Sequence, residues 1–279
     1  MKDLKRKIDK LKNILLEMQS VLVAYSGGVD STFLLKIAKD TLKEKVIAVT
    51  ATSPTYPEDE IKQAEKIAKM LGVKHILVES RELENPNFRE NPPQRCYWCK
   101  KELFSLLLDI ARKNKINYVI DGSNADDTRD FRPGKIAAKE LGVRSPLEEV
   151  SLTKNEIRLL SKKMHLPTWN KPSLACLSSR FPYGTRITEE ELEKVAKAES
   201  FLRKEGFIQV RVRHHDRMAR IEVFPDEIKK IIDDKLREKI VKKFKELGYT
   251  YITVDLEGYR QGSMNETLDE VKFNLPYRD

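Results

Sequence analysis

Ser26-Gly27-Gly28-Val29-Asp30-Ser31 stands between a short apolar run, VLVAY, and a segment in which Phe33, Leu34, Leu35 and Ile37 give a helical pattern. Two glycines let the backbone approach a ligand closely and aim successive N–H groups at an anion. A helix beginning near Asp30 adds its positive end, so phosphate is the natural occupant. The hydroxyls of Ser26 and Ser31 are further donors. The loop has neither the lysine of a Walker loop nor the third glycine of a dinucleotide fingerprint. A tight turn capped by serines is the plainer alternative. Cys96 and Cys99 form a C-x-x-C pair, and Cys176 stands alone far downstream. Three cysteines are too few for a disulfide framework in a chain of 279 residues, and suit a metal, a redox pair or a reactive thiol. In FIQVRVRHH, alternation puts Arg211, Arg213 and His215 on one strand face, opposite Ile208, Val210 and Val212. Two arginines on one face make a phosphate-grade anion site; a solvated polar face is the alternative.

The elements that must hold these residues follow from periodicity. Residues 3–19 read as an amphipathic helix, and VLVAY (21–25), VIAVTA (46–51), HILVES (75–80) and YVIDGS (118–123) as strands separated by helical segments, one of them Glu58 to Leu71. Buried, unpatterned strands alternating with helices predict a parallel sheet covered on both faces, an α/β nucleotide-binding domain. A helix over Lys154 to Met164 interrupts a stretch of Pro- and Ser-containing loops. A helix over Glu189 to Lys204, the strands FIQVRVRHH and ARIEVF, a helix from about Asp226 to Leu247 and the strand YITVDL then predict a small α+β unit. Two domains are expected, 1–180 and 181–279. DGSNADD follows the fourth strand, at the carboxyl edge where such sheets bind ligands. Gly122 lies there, and Asp126 and Asp127 are candidates to hold Mg²⁺, with an Asx-rich turn as the rival reading. Residues 50–56, Thr52 among them, follow the second strand at the same edge and are placed to meet adenine.

Hydrophobic residues make up 40% and charged residues 35% of the chain, and the net charge of +9 resides in residues 1–180. That balance suits an anionic ligand, a nucleotide or a nucleic acid. No apolar run approaches the roughly 20 residues of a membrane span. The first twenty residues carry charge throughout, unlike a secretory signal, so a cytoplasmic protein is expected.

SGGVDS looks like the pyrophosphate loop (PP-loop) of ATP pyrophosphatases, which cleave ATP between its α- and β-phosphates and adenylylate a substrate. ATSPTYPEDE (51–60), NPPQRCYWCKKELF (91–104), DGSNADDTRDFRPG (121–134), SPLEEVSLTKNEIR (145–158) and LPTWNKPSLACLSSRFPYG (166–184) together resemble the LarE family of ATP-dependent sulfur transferases. The resemblance implies adenylylation of the carboxylates of pyridinium-3,5-biscarboxylic acid mononucleotide and displacement of AMP by sulfur. The product would then receive nickel through another protein and become the nickel-pincer nucleotide of lactate racemase. It also implies that Asp30 and Ser31 serve the adenylylation, and that sulfur comes either from a sacrificed Cys176 or from a 4Fe–4S cluster held by Cys96, Cys99 and Cys176. In the cluster type an extra sulfide, provided by a sulfide donor, binds the open iron. Three-cysteine zinc and a redox C-x-x-C compete with that reading. By the same resemblance Arg211 and Arg213 bind the substrate's phosphate or carboxylate, with Glu199 and Asp226 as nearby acids. Arg180 and Ser179, beside Cys176, are candidates to steady an acyl-adenylate, and the resemblance implies a ring-like homohexamer. A tRNA-thiolating enzyme, an amide-forming synthetase and an ATP-binding or iron-sensing regulator are the other classes. The first commonly brings extra zinc-binding cysteines or an RNA-binding domain, which this chain lacks, so no nucleic acid is expected.

Overall fold

Lys and Asp alternate with Leu and Ile through the first helix, and only one stripe of it can be buried. In the computed structural model, which describes residues 2–129, 133–172, 175–260 and 262–268, this is α1 (Lys2–Met18), with Leu11, Leu15 and Met18 buried. Residues 130–132 and 173–174, inside two of the quoted motifs, lie outside the described residues. The chain divides into two compact units, Met1–Leu174 and Ala175–Asp279.

In the first unit α1 is followed by β1 (Val21–Ala24), α2 (Val29–Leu42), β2 (Val46–Thr52), α3 (Glu58–Met70), β3 (Lys74–Glu79), α4 (Pro86–Arg89), α5 (Arg95–Lys113), β4 (Tyr118–Ile120), α6 (Pro133–Glu140), α7 (Pro146–Glu149) and α8 (Lys154–Lys163). The four strands form one parallel sheet in the order β3-β2-β1-β4, with Val21 opposite both Val46 and Tyr118. Successive strand residues face opposite layers: Val21, Val23 and Ala48 pack with α1 and α2, and Leu22, Ile47 and Val49 with Phe104 and Leu107 of α5. Burial on both sides explains why the central strands β1 and β2 carry no polar alternation. The chain moves outward from β1 to β3 and returns to the other side of β1 for β4. The carboxyl ends of β1 and β4 are therefore a topological switch point, where open α/β sheets form their ligand crevice. The expected parallel α/β architecture is borne out. YVIDGS was expected to remain strand to residue 123, but β4 ends at Ile120 because the Asp121 carboxylate accepts from the N–H and hydroxyl of Ser123 and turns the chain.

The second unit holds α9 (Glu189–Lys204), β5 (Val210–His215), β6 (Met218–Val223), α10 (Ile228–Ile231), α11 (Asp234–Glu246) and β7 (Tyr251–Val254). The sheet order is β5-β6-β7, the first pair antiparallel and the second parallel. Leu202, Val210, Val212, Ile221 and Phe244 share its core. Two expectations are corrected. The helix expected from 226 to 247 is broken before Asp233, whose side chain accepts from Leu236 N and starts α11 afresh. Ile208 does not share the buried face of Val210 and Val212; it precedes the strand and is 71% exposed.

Helix α8 starts with a capping box: Thr153 Oγ1 accepts from Glu156 N, and Glu156 Oε2 accepts from Thr153 N. Thr153→Ala should cost about 1 kcal/mol of stability in urea unfolding. An unchanged midpoint would contradict the cap.

Candidate active site

Beyond β1, Tyr25 N continues the sheet by donating to Val49 O at 2.8 Å, and the chain then turns through Ser26, Gly27 and Gly28 into α2. Gly27 has φ +67°, and a Cβ there would lie 2.8 Å from Ala64 Cβ on α3, so only glycine fits both the backbone and the space. The Ser26 and Ser31 hydroxyls are 3.1 Å apart across the turn. A Cβ on Gly122 would come within 2.9 Å of Ser31 N, so the chain leaving β4 lies directly against the first turn of α2. Ser26, Gly27, Gly28, Asp30, Ser31 and Gly122 thus meet at the switch point.

Asp30 points from the first turn of α2 to Lys154 at the start of α8, and the two are in direct ionic contact. Burial raises the Asp30 pKa, Lys154 opposes the rise, and the neighbouring Asp127 adds to it. Asp30 Oδ1 is buried with no hydrogen-bond partner among the described residues. Asp126 and Asp127 are partly occupied as an Asx turn: Lys154 N donates to Asp126 Oδ2 at 2.7 Å, and Asn124 N to Asp127 Oδ2 at 3.0 Å. An orphaned carboxylate oxygen beside a second carboxylate is a hard-oxygen environment that fits Mg²⁺ carried in with a triphosphate.

A cleft opens at the carboxyl ends of β1 and β2, lined by Ala24, Tyr25, Ser26, Val49, Thr50, Ala51, Tyr56, Glu60, Ile61, Lys100 and Leu103. Its mostly apolar walls beside the phosphate loop suit a purine ring. Thr52 is one residue beyond the lining strand residues, and its hydroxyl donates to Val78 O at 3.3 Å. The loop after β2 is fixed by Glu82, 1% exposed, whose carboxylate accepts from Ser53, Thr55 and Ser80 hydroxyls at 2.5–2.7 Å.

Cys96 and Cys99 occupy the start of α5, and Lys100 and Leu103 of the same helix line the cleft. The C-x-x-C pair therefore sits on the helix that contributes to the cleft wall, without lining the cleft itself. Trp98 packs edge-to-face on Tyr97, with ring centres 5.1 Å apart.

In the second unit Cys176 caps a short 3₁₀ turn, Leu177–Arg180. Arg180 is 1% exposed and makes paired bonds to Glu199 at 2.7 and 3.0 Å, while its Nη1 donates to the carbonyls of Ala175 and Cys176 and to Ser179 Oγ. Glu199 also accepts from Val212 N and Arg203. Burial would raise its pKa, yet Arg180 and Arg203 carry it down to about 2. Arg213 makes paired bonds to Glu222 at 2.7 and 2.8 Å and donates to Ser179 O at 2.7 Å. Arg211 donates to Val210 O and lies over the Tyr259 ring; burial and then repulsion from Arg180 hold it down to about 10, still a cation at neutral pH. Both faces of β5 are buried, so the arginines are not a solvated face. As placed, Arg180 and Glu199 have their charges committed to each other and to the Cys176 turn. Asp226 is exposed just after β6. Among the described residues no three His, Cys, Asp or Glu side chains are gathered as a metal site.

An asparagine synthase family model matches residues 12–127, the span of the phosphate loop and parallel sheet. An uncharacterized protein of Synechocystis is 46% identical over 95% of this chain and 99% of its own. Pyridinium-3,5-bisthiocarboxylic acid mononucleotide synthase of Lactiplantibacillus plantarum is 38% identical over 92% of both chains. The chain belongs to the LarE family. Argininosuccinate synthase of Methanocaldococcus jannaschii is 27% identical over 62% of this chain and 47% of its own.

This LarE-family chain is an ATP-dependent enzyme, and its site includes residues that no local pattern announced. Lys154 and Lys171 reach the phosphate loop from 124 and 144 residues away. Glu82 and Glu222 are buried acids whose only sequence signal is position near a strand. No helix among the described residues is long and apolar enough to cross a membrane.

Glu199→Gln leaves Arg180 buried without its counter-charge and should cost about 3 kcal/mol. Since the carboxyl falls from 4.5 to about 2 on folding, its stabilisation is complete above about pH 4.5 and is lost as pH drops toward 2. Urea unfolding across that window should show a shallower pH slope for the variant; an unaltered slope would contradict the ion-pair account.

Proposed function

We propose that this chain uses ATP to convert the carboxylates of pyridinium-3,5-biscarboxylic acid mononucleotide into thiocarboxylates. The observation that carries the reading is the phosphate loop at the sheet's switch point, in a chain 38% identical over 92% of its length to a synthase of the bisthiocarboxylate. A substrate carboxylate oxygen attacks the α-phosphorus of ATP, the bond to the β-phosphate oxygen breaks, and pyrophosphate leaves. Sulfur then attacks the carbonyl carbon of the acyl-adenylate, and AMP departs with the former carboxylate oxygen. Ser26, the backbone N–H groups from Gly28 onward, Ser31 and the positive end of α2 hold the departing pyrophosphate. Asp30, with Asp126 and Asp127, would hold Mg²⁺, which neutralises phosphate charge. Thr52 and the strand ends around it place the adenine, and Gly122 lets β4 close on the loop. Arg211 and Arg213 are assigned to the anionic groups of the mononucleotide, and Asp226 to the rim of that site.

Cys96, Cys99 and Cys176 supply an all-thiolate donor set, the set that iron–sulfur clusters take. Such a 4Fe–4S cluster, when bound, would offer a transferable sulfide while the cysteines survive. The chain's own contribution is the positive end of α5 behind the C-x-x-C pair, and the rigid turn that Arg180 and Arg213 build around Cys176. The product would pass to nickel insertion for the lactate racemase cofactor.

Asp30→Ala should abolish AMP formation from ATP and the pyridinium dicarboxylate; undiminished cleavage would sink the loop assignment. About four irons with acid-labile sulfide per anaerobically purified chain, lost in Cys176→Ala, would support the cluster. Metal-free protein that loses the mass of H₂S on turnover would make Cys176 a sacrificed donor instead.

A further inference from the structure

We infer that Lys171 is a positioning residue for pyrophosphate, a strut that fixes the orientation of the Gly27–Gly28 peptide; the inference rests on the phosphate-loop reading above. Lys171 Nζ lies 2.6 Å from Glu60 Oε2 and 2.6 Å from Gln63 Oε1, both on α3, and 3.1 Å from the carbonyl oxygen of Gly27. Its side chain is 10% exposed, so the ammonium is a nearly enclosed link between α3 and the loop. In a trans peptide the carbonyl and the following N–H point to opposite sides. Anchoring Gly27 O on Lys171 therefore aims Gly28 N–H the other way. Among the described residues that N–H makes only a long contact, 3.4 Å to Ser26 Oγ, and it is the first donor of the turn entering α2. The backbone is left-handed at Gly27, φ +67°, and extended at Gly28, φ −80° and ψ 176°.

Glycines on both sides leave this peptide free to rotate, because neither has a Cβ to resist. Turned over, it would present a carbonyl oxygen to the phosphates in place of an N–H, exchanging an attraction for a repulsion. A charge-assisted bond to the carbonyl is the stronger kind of hydrogen bond. It holds the useful orientation before the ligand arrives, with no lysine inside the loop itself. The effect belongs to the pyrophosphate half of the nucleotide, because the adenine cleft has its own walls. A lysine that served only to tie α3 to its surroundings would affect stability without distinguishing the two halves.

The test is calorimetric binding of inorganic pyrophosphate with Mg²⁺, and separately of AMP, to the full chain and to Lys171→Met and Lys171→Arg. Lys171→Met should bind pyrophosphate about tenfold or more weakly and AMP as before, and Lys171→Arg should recover most of the loss. Equal weakening of both ligands, or no weakening of either, would overturn the strut. If Lys171→Met does not fold, Lys171→Gln, which keeps hydrogen-bonding contact with α3, should show the same selective loss; pyrophosphate binding equal to wild type would overturn the proposal. Wild-type protein that binds no pyrophosphate would overturn the phosphate-loop reading and the strut with it.

Discussion

An array of N–H groups pointing at one place is unstable unless something holds the matching carbonyls elsewhere, and the turn between β1 and α2 is built around that constraint. The left-handed Gly27, pressed against Ala64, bends the chain sharply enough for the helix to start at Val29. Ser31 sits under Gly122, so the loop's far wall is the end of β4. Asp30 is held by Lys154, whose own N–H is held by Asp126. The strand order β3-β2-β1-β4 makes these contacts possible, because it places the end of β1 beside the end of β4 with no further strand between. Sheet topology, helix starts and the acidic turn after β4 all converge on one backbone geometry.

The second unit solves a different problem with buried charge. Desolvating a guanidinium is costly, and the cost is offset only by excellent geometry with a carboxylate. Arg180–Glu199 and Arg213–Glu222 both meet that condition, with paired bonds of 2.7–3.0 Å. Further donors reach the carbonyls of Ala175, Cys176 and Ser179, along with the Ser179 and Ser263 hydroxyls, so the ion pairs stabilise one particular conformation of the turn that carries Cys176. In the proposed sulfur transfer, a turn held by two buried arginines would give Cys176 a fixed direction of approach.

The phosphate loop was legible from sequence because its information is local: two glycines, two hydroxyls and an aspartate between a strand and a helix. The central strands β1 and β2 were legible because burial on both faces leaves uninterrupted apolar runs, and the resemblance to the LarE family rested on five motifs in order. What escaped depends on partners distant in the chain. Lys154 and Lys171 look like ordinary surface lysines until α8 and the segment after it fold against the loop. Glu222 is one acid in ARIEVF, and nothing in its neighbours shows that Arg213 will meet it diagonally across the hairpin. The break before Asp233 was missed because a helical apolar pattern continues through it, and only the capping bond to Leu236 N ends one helix and starts the next. Arg180 and Glu199 were read from sequence in separate roles, one beside Cys176 and one near Arg211 and Arg213; side-chain burial, which spacing does not report, is what joins them as an ion pair.

The most direct measurement is the stoichiometry of AMP, pyrophosphate and thiocarboxylate when the protein turns over ATP and pyridinium-3,5-biscarboxylic acid mononucleotide with a sulfide source. AMP and pyrophosphate are expected in equal amounts, one of each for every carboxylate oxygen exchanged for sulfur. ADP and inorganic phosphate in their place, or AMP released with the pyridinium carboxylates unchanged, would contradict the proposed function.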